Sequence, residues 1–230
     1  MIMLIFPEDT MKPTVEQSVK VYAEIYYALI LRFCIFFGSA AIFLGLFRAD
    51  VMNKNLHYAF LTPARRELQV LGKYLAGIAS AILVFGFGTA LAWFMIYLPS
   101  EAGSFSTHFL AGPGAMLLAK YLGITVLACL GYGAVFLAIG QFFKNPILPT
   151  VFILVWEGIN LFLPPMLKKL SVIHYLGSLT PVPVETPLIS LVSEPTPAPV
   201  AVAGLLVFTL AVLGVAAYKV RDMEIDYGGD

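Results

Sequence analysis

Charge is scarce in this chain. Only 12% of its 230 residues are Asp, Glu, Lys or Arg, and 60% are hydrophobic; a soluble domain is about a quarter charged. The formal net charge is zero, so no overall field draws the chain to nucleic acid. Cysteine is nearly missing. Cys34 and Cys129 are the two present, both inside long apolar runs, which argues against a disulfide framework. His57, His108 and His174 lie far apart and outside those runs, whereas haem held within a membrane needs histidines on the spanning helices. No His/Glu metal constellation and no nucleophile–base pair falls within the runs, so neither a catalytic site, a metal site nor a cofactor is expected. Strict apolar/polar alternation is absent too, which excludes a membrane β-barrel. No signal peptide opens the chain: MIMLIF is too short for an apolar h-region, and the residues after it are polar.

What the chain has is length of apolar sequence. Runs at 25–47, 74–97, 121–142, 147–166 and 199–219 each approach the ~20 residues that a helix needs to cross a bilayer. Lipid offers no partner for backbone N–H and C=O groups, so such runs must be helical. The expected fold is an all-α polytopic membrane protein, a single domain of five transmembrane helices. A cytoplasmic amphipathic segment at 48–73 and an outer-face segment at 163–198 complete it. Short loops rich in Lys and Arg stay in the cytoplasm. The cluster Arg48, Lys54, Arg65, Arg66 and Lys73 therefore places 48–73 inside, together with Lys144, Lys219 and Arg221. Lys12, Lys20, Lys120, Lys168 and Lys169 then fall outside, and five spans put the N-terminus outside as well.

Tyr22, Tyr26, Tyr27, Trp93, Tyr97 and Tyr218 stand at span ends and read as interfacial anchors. Gly38, Ser39, Ala40 and Ala41, and Gly131, Gly133 and Gly140, lie inside spans, where small residues let helix backbones approach closely; a compact bundle explains them better than a glycine-lined pathway. The segment 163–198 carries Pro164, Pro165, Pro181, Pro183, Pro187, Pro195, Pro197 and Pro199. Proline interrupts helices, so this segment reads as short broken helices at the outer face, able to dip partway in but not to form a sixth span.

Two places invite function. In the segment 48–73, Leu56, Phe60 and Leu61 recur at helical spacing. Thr62 before Pro63 starts a further helix, which brings Arg65 and Arg66 to water or a partner. An interfacial helix lying in the headgroups and a docking surface for a cytoplasmic partner both fit. The second place is inside the membrane, where Arg32 and Glu157 are the two charges deep within spans. Intramembrane charges face protein or water. Glu157 lies ~15 Å from the inner end of its run and Arg32 ~24 Å from Arg48. A structural role, as a paired charge or a hydrogen-bonded carboxylic acid, and a substrate or gating role are both open for Glu157. Arg32 reads as structural, with a side chain able to snorkel outward.

The series Asp50, Asn55-Leu56, Pro63-x-x-Arg66 and Gly72-Lys73 opening a helix resembles the permease subunits of type-2 ATP-binding-cassette (ABC) exporters. The later run is similar too: Gly131-Tyr132-Gly133, then Gln141-Phe142-Phe143-Lys144-Asn145-Pro146, then Trp156-Glu157 and Leu163-Pro164. The chain departs at Asn55, where the family commonly has Thr. The resemblance covers about 22–220. It implies that Asp50, Asn55, Leu56, Phe60, Pro63, Arg65, Arg66 and Lys73 meet a cytoplasmic ATP-binding subunit. It also implies a second permease copy or a homologous permease as partner, in a bacterial or archaeal cytoplasmic membrane. Family members have six helices with both ends inside. The resemblance therefore also implies a further helix ahead of the polar stretch 7–20, beyond this sequence or separately encoded. The chain is not expected to hydrolyse ATP. A P-loop needs G-x-x-x-x-G-K-[ST], and around Gly72-Lys73 the flanking positions are Glu67 and Tyr74. A secondary transporter and a non-transporting membrane scaffold are the rival classes; the first usually breaks its helices near the midplane, whereas the prolines here gather at the outer face.

Overall fold

The computed structural model describes residues 14–52, 66–98, 109, 112–143, 145–159, 164–182 and 196–220; of residues 47–52, 66 and 165 the backbone alone is described. Helix is the regular structure throughout these residues. α1 (Val15–Ile25) passes through a π-helical stretch (Tyr26–Ile35) into α2 (Phe36–Met52). Then come α3 (Arg66–Tyr97), α4 (Gly114–Phe142), α5 (Ile147–Gly158), α6 (Pro165–Lys168), α7 (Val172–Leu179) and α8 (Ala198–Lys219). Four helices are long and apolar enough to cross a membrane: Val15–Leu46, Glu67–Tyr97, Gly114–Phe142 and Ala198–Lys219. The chain is an all-α membrane protein.

Helix ends outrun the apolar runs, because a helix continues into water wherever its end is capped. The first helix starts at Val15 rather than at 25. Thr14 closes a capping box there: its Oγ1 accepts from Gln17 N (3.4 Å) and Gln17 Oε1 accepts from Thr14 N (3.0 Å). Ser18, Tyr22 and Ala23 then turn inward while Glu16, Lys20 and Glu24 face out, an amphipathic turn pattern that extends the helix beyond the bilayer. Prolines stand at helix starts, as at Pro113, Pro146, Pro165 and Pro197, where the missing N–H is harmless. Of the run 147–166, expected as a full span, residues 160–163 lie outside the described residues and Ile147–Gly158 is α-helical. At ~1.5 Å per residue that is ~18 Å, against a core of about 30 Å.

α4 forms the centre, with α2, α3 and α8 packed around it. Its small residues make this possible. Phe43 of α2 is fully buried and fills the notch between Gly77 of α3 and Gly133 of α4. A Cβ at those glycines would lie 2.5 and 2.6 Å from its ring. Buried polar ties reinforce the seams: Tyr74 Oη donates to Leu130 O (2.9 Å), and Gln141 Nε2 to Ala216 O (3.1 Å). Apolar side chains left outside, including Leu75, Leu83, Val84 and Phe87 on α3, form the lipid-facing surface.

Candidate functional site

Residues 53–65 lie outside the described residues, and with them Asn55, Leu56, Phe60, Pro63 and Arg65. Asp50 falls in the last turn of α2 and Arg66 opens α3. Lys73 is part-buried, and its Nζ donates to the carbonyl of Leu46 at 3.3 Å. This bond ties the end of the membrane part of α2 to the first turns of α3. The two stems of the segment are therefore fastened to each other, beside the buried Val70 and Tyr74.

Glu157 sits near the end of α5 and is buried. Its carboxylate gathers three donors from a segment that follows in sequence: Ser171 Oγ (2.7 Å), Val172 N (3.0 Å) and Ile173 N (3.1 Å). These amide groups are the unsatisfied N-terminal donors of α7, where an anion is favoured. Ser171 precedes α7 but its own side chain does not cap the helix; Glu157 does so across the chain reversal. Val172 lies against Gly131, where a Cβ would meet it at 3.0 Å, and Tyr175 lies against Gly204 at 2.6 Å on the same measure. Gly131 is ~16 Å along α4 from Phe142, matching the ~15 Å depth of Glu157. Gly204 is ~9 Å from the outer start of α8. α7 thus packs between Gly131 of α4 and Gly204 of α8, and the chain between α5 and α7 turns back so that a carboxylate on the first reaches the amides of the second. The prolines gave no sign of this contact, because it is made by a side chain reaching a returning chain.

Arg32 lies on the π-helical stretch. Its Nη2 donates to Tyr27 Oη (3.3 Å), and the guanidinium stands 5.0 Å from the centre of the Tyr27 ring. Its Nε is buried without a hydrogen-bond partner. Among the described residues no ion pair joins Arg32 to Glu157; Lys20 and Glu16 pair at 3.1 Å on the exposed face of α1. Tyr27 Oη also approaches Gly177 of α7, so Tyr27 bridges Arg32 and the inserted helix.

The expected interfacial aromatics divide. Tyr218 is exposed, but Tyr22, Tyr26, Trp93 and Tyr97 are buried to within 1%, so anchoring in the headgroups is not their role. They pack as a cluster with Tyr121 between α1, α3 and α4, edge to face at 4.8 Å for Tyr22–Trp93 and Tyr22–Tyr121 and stacked at 4.1 Å for Trp93–Tyr97. Hydrogen bonds of the Tyr22 and Tyr26 hydroxyls offset part of the cost of this burial, while Trp93 Nε1 and Tyr121 Oη have no partner among the described residues. Tyr22 Oη donates to Thr89 O (3.2 Å), Tyr26 Oη to Tyr121 O (3.1 Å), and Thr125 Oγ1 hydrogen-bonds both Tyr26 Oη (3.0 Å) and Thr89 Oγ1 (3.1 Å). Tyr27 and Ser171 are the site residues whose roles sequence reasoning missed; no local spacing connects them to Arg32 or Glu157. Among the described residues no three His, Cys, Asp or Glu side chains could hold one metal ion. No protein family, no curated protein and no solved structure matches this chain.

Proposed function

We propose that the chain is the membrane permease subunit of an ABC exporter. It would work in a bacterial or archaeal cytoplasmic membrane with a separate ATP-binding subunit and a second permease, identical or homologous. The observation that carries this reading is the ordered series Asp50, Asn55-Leu56, Pro63-x-x-Arg66 and Gly72-Lys73 between the first two long helices. The Lys73–Leu46 bond supports it. A push on the segment between fastened stems moves α2 and α3 together, and Phe43 carries that movement into α4. Leu56 and Phe60 would supply apolar grip, and Asp50, Arg65 and Arg66 charge. Five crossings belong to this proposal, the fifth at the apolar run 147–166.

Co-purification from native membranes tests it. Leu56→Ala with Phe60→Ala is expected to release the ATP-binding subunit at unchanged membrane abundance, since anchors at an interface centre are each worth ~2 kcal/mol or more. Arg66→Lys should weaken association, because ammonium cannot reproduce a forked guanidinium contact. If the double variant keeps its ATPase at wild-type levels, the segment is a membrane anchor and the reading fails.

One observation favours a secondary transporter as second reading. Two short helices, α5 and α7, meet through Glu157, as half-helices do at the ion and substrate sites of such proteins. Here, though, the buried N-terminus of α7 is already filled by Glu157. Uptake into vesicles driven by an ion gradient without ATP would favour that reading.

A further inference from the structure

Among the described residues no carboxylate lies within ion-pair distance of Arg32. The nearby carboxylate, Glu157, spends both oxygens on Ser171, Val172 and Ile173, and no ion pair links it to Arg32. Of the guanidinium nitrogens, Nη2 alone is hydrogen-bonded among the described residues, to Tyr27 Oη. The neighbouring ring face at 5.0 Å steadies the group but supplies no anion. A charge held within a membrane span requires compensation by protein, water or a lipid headgroup.

The surroundings indicate which of these compensates. Arg32 is part-buried, and Leu29, Phe33 and Phe37 along the same helix are exposed. They form an apolar stripe with the guanidinium at its edge. Lys20 and Glu24 of α1 are also exposed, which puts the headgroup region at their level. Arg32 lies ~12 Å further along the helix axis than Glu24, and a long side chain can snorkel across part of that distance toward a phosphate. Guanidinium and phosphate match geometrically, since two parallel N–H groups can meet two oxygens.

We propose that Arg32, oriented by Tyr27, binds the phosphate of an anionic phospholipid in the leaflet next to α1, with the acyl chains lying along Leu29, Phe33 and Phe37. This site does not depend on the ABC reading and would serve the same role in a membrane protein of another class.

The test uses the purified full chain in a neutral detergent and three probes. Dioleoyl phosphatidylglycerol has head and tails, dioleoylglycerol has the tails without phosphate, and glycerol phosphate has the head without tails. Native mass spectrometry reads the bound probe. Phosphatidylglycerol is expected to bind at least about tenfold more tightly than dioleoylglycerol, the size of one charge-assisted hydrogen bond. Arg32→Gln should remove that advantage, Arg32→Lys should retain part of it, and Tyr27→Phe should weaken it several-fold, all with dioleoylglycerol binding unchanged. Unaltered phosphatidylglycerol binding in Arg32→Gln overturns the proposal. So does equal binding of the two dioleoyl probes by the wild type. If Arg32→Gln does not fold, wild-type affinity in both Arg32→Lys and Tyr27→Phe overturns it as well. Displacement of the lipid by an equal concentration of glycerol phosphate would assign the site to a soluble oxyanion and reject the lipid.

Discussion

Glu157 satisfies a hydroxyl and two backbone amides that would otherwise lack partners inside the membrane. In Glu157→Gln the amide keeps one acceptor oxygen but turns an NH2 group toward donors, leaving at least one of them unpaired. An unpaired buried donor costs ~1–3 kcal/mol. Ser171→Ala removes a donor and leaves both amide contacts in place, at ~1 kcal/mol. Thermal unfolding in detergent should therefore rank Glu157→Gln as the more destabilising, and the reverse order would show that the carboxylate does not hold α7. The sequence exposed Glu157 and Arg32 as charges within apolar runs, because charge against a hydrophobic background is a local signal. It did not expose their partners. Ser171 and Ile173 reach Glu157 only because the chain turns back, and no periodicity records such a return. The aromatic residues illustrate the same limit. Tyr22 and Trp93 at span ends fit a headgroup girdle or a buried cluster equally well by composition; the convergence of α1, α3 and α4 decides between them.

Among the helices, close approach depends on notches. Phe43 occupies the one formed by Gly77 and Gly133, and its ring has no exposed edge. Gly133→Ala gains helix propensity of up to ~1 kcal/mol but sets a methyl against a fixed ring, and overpacking costs ~1–3 kcal/mol. A net loss of unfolding midpoint is expected. Adding Phe43→Leu to Gly133→Ala should recover part of it, because the shorter side chain vacates the space. Stability in the double variant lower than additivity predicts would refute the notch. The small residues were legible as packing sites from sequence, since glycine has little other use in a membrane helix interior. Their partners were not, because a glycine accepts any neighbour of suitable size. Helix limits were misjudged for a related reason: apolarity marks the bilayer, while caps such as Thr14–Gln17 mark the helix.

For the molecule as a whole, composition alone conveyed the class, since long apolar runs without alternation leave helices as the only spanning structure. Orientation rests on the basic cluster between the first two long helices. Single cysteines at Asn53, Thr107 and Ser193, in a background with Cys34 and Cys129 replaced by Ala, test it with an impermeant thiol reagent on intact cells. Thr107 and Ser193 should label and Asn53 should not; the opposite pattern would invert the protein in its membrane. Within that membrane α5 is mechanically unlike its neighbours. Leu148, Val151, Phe152 and Val155 are bare, whereas Ile153 and Leu154 rest on the core. Pro146 starts it at one end and the grip of Glu157 holds it at the other. It is tied to another helix at the Glu157 end and is bare along much of its length. Lateral pressure in the bilayer would bend this element before it disturbs the interlocked helices behind it.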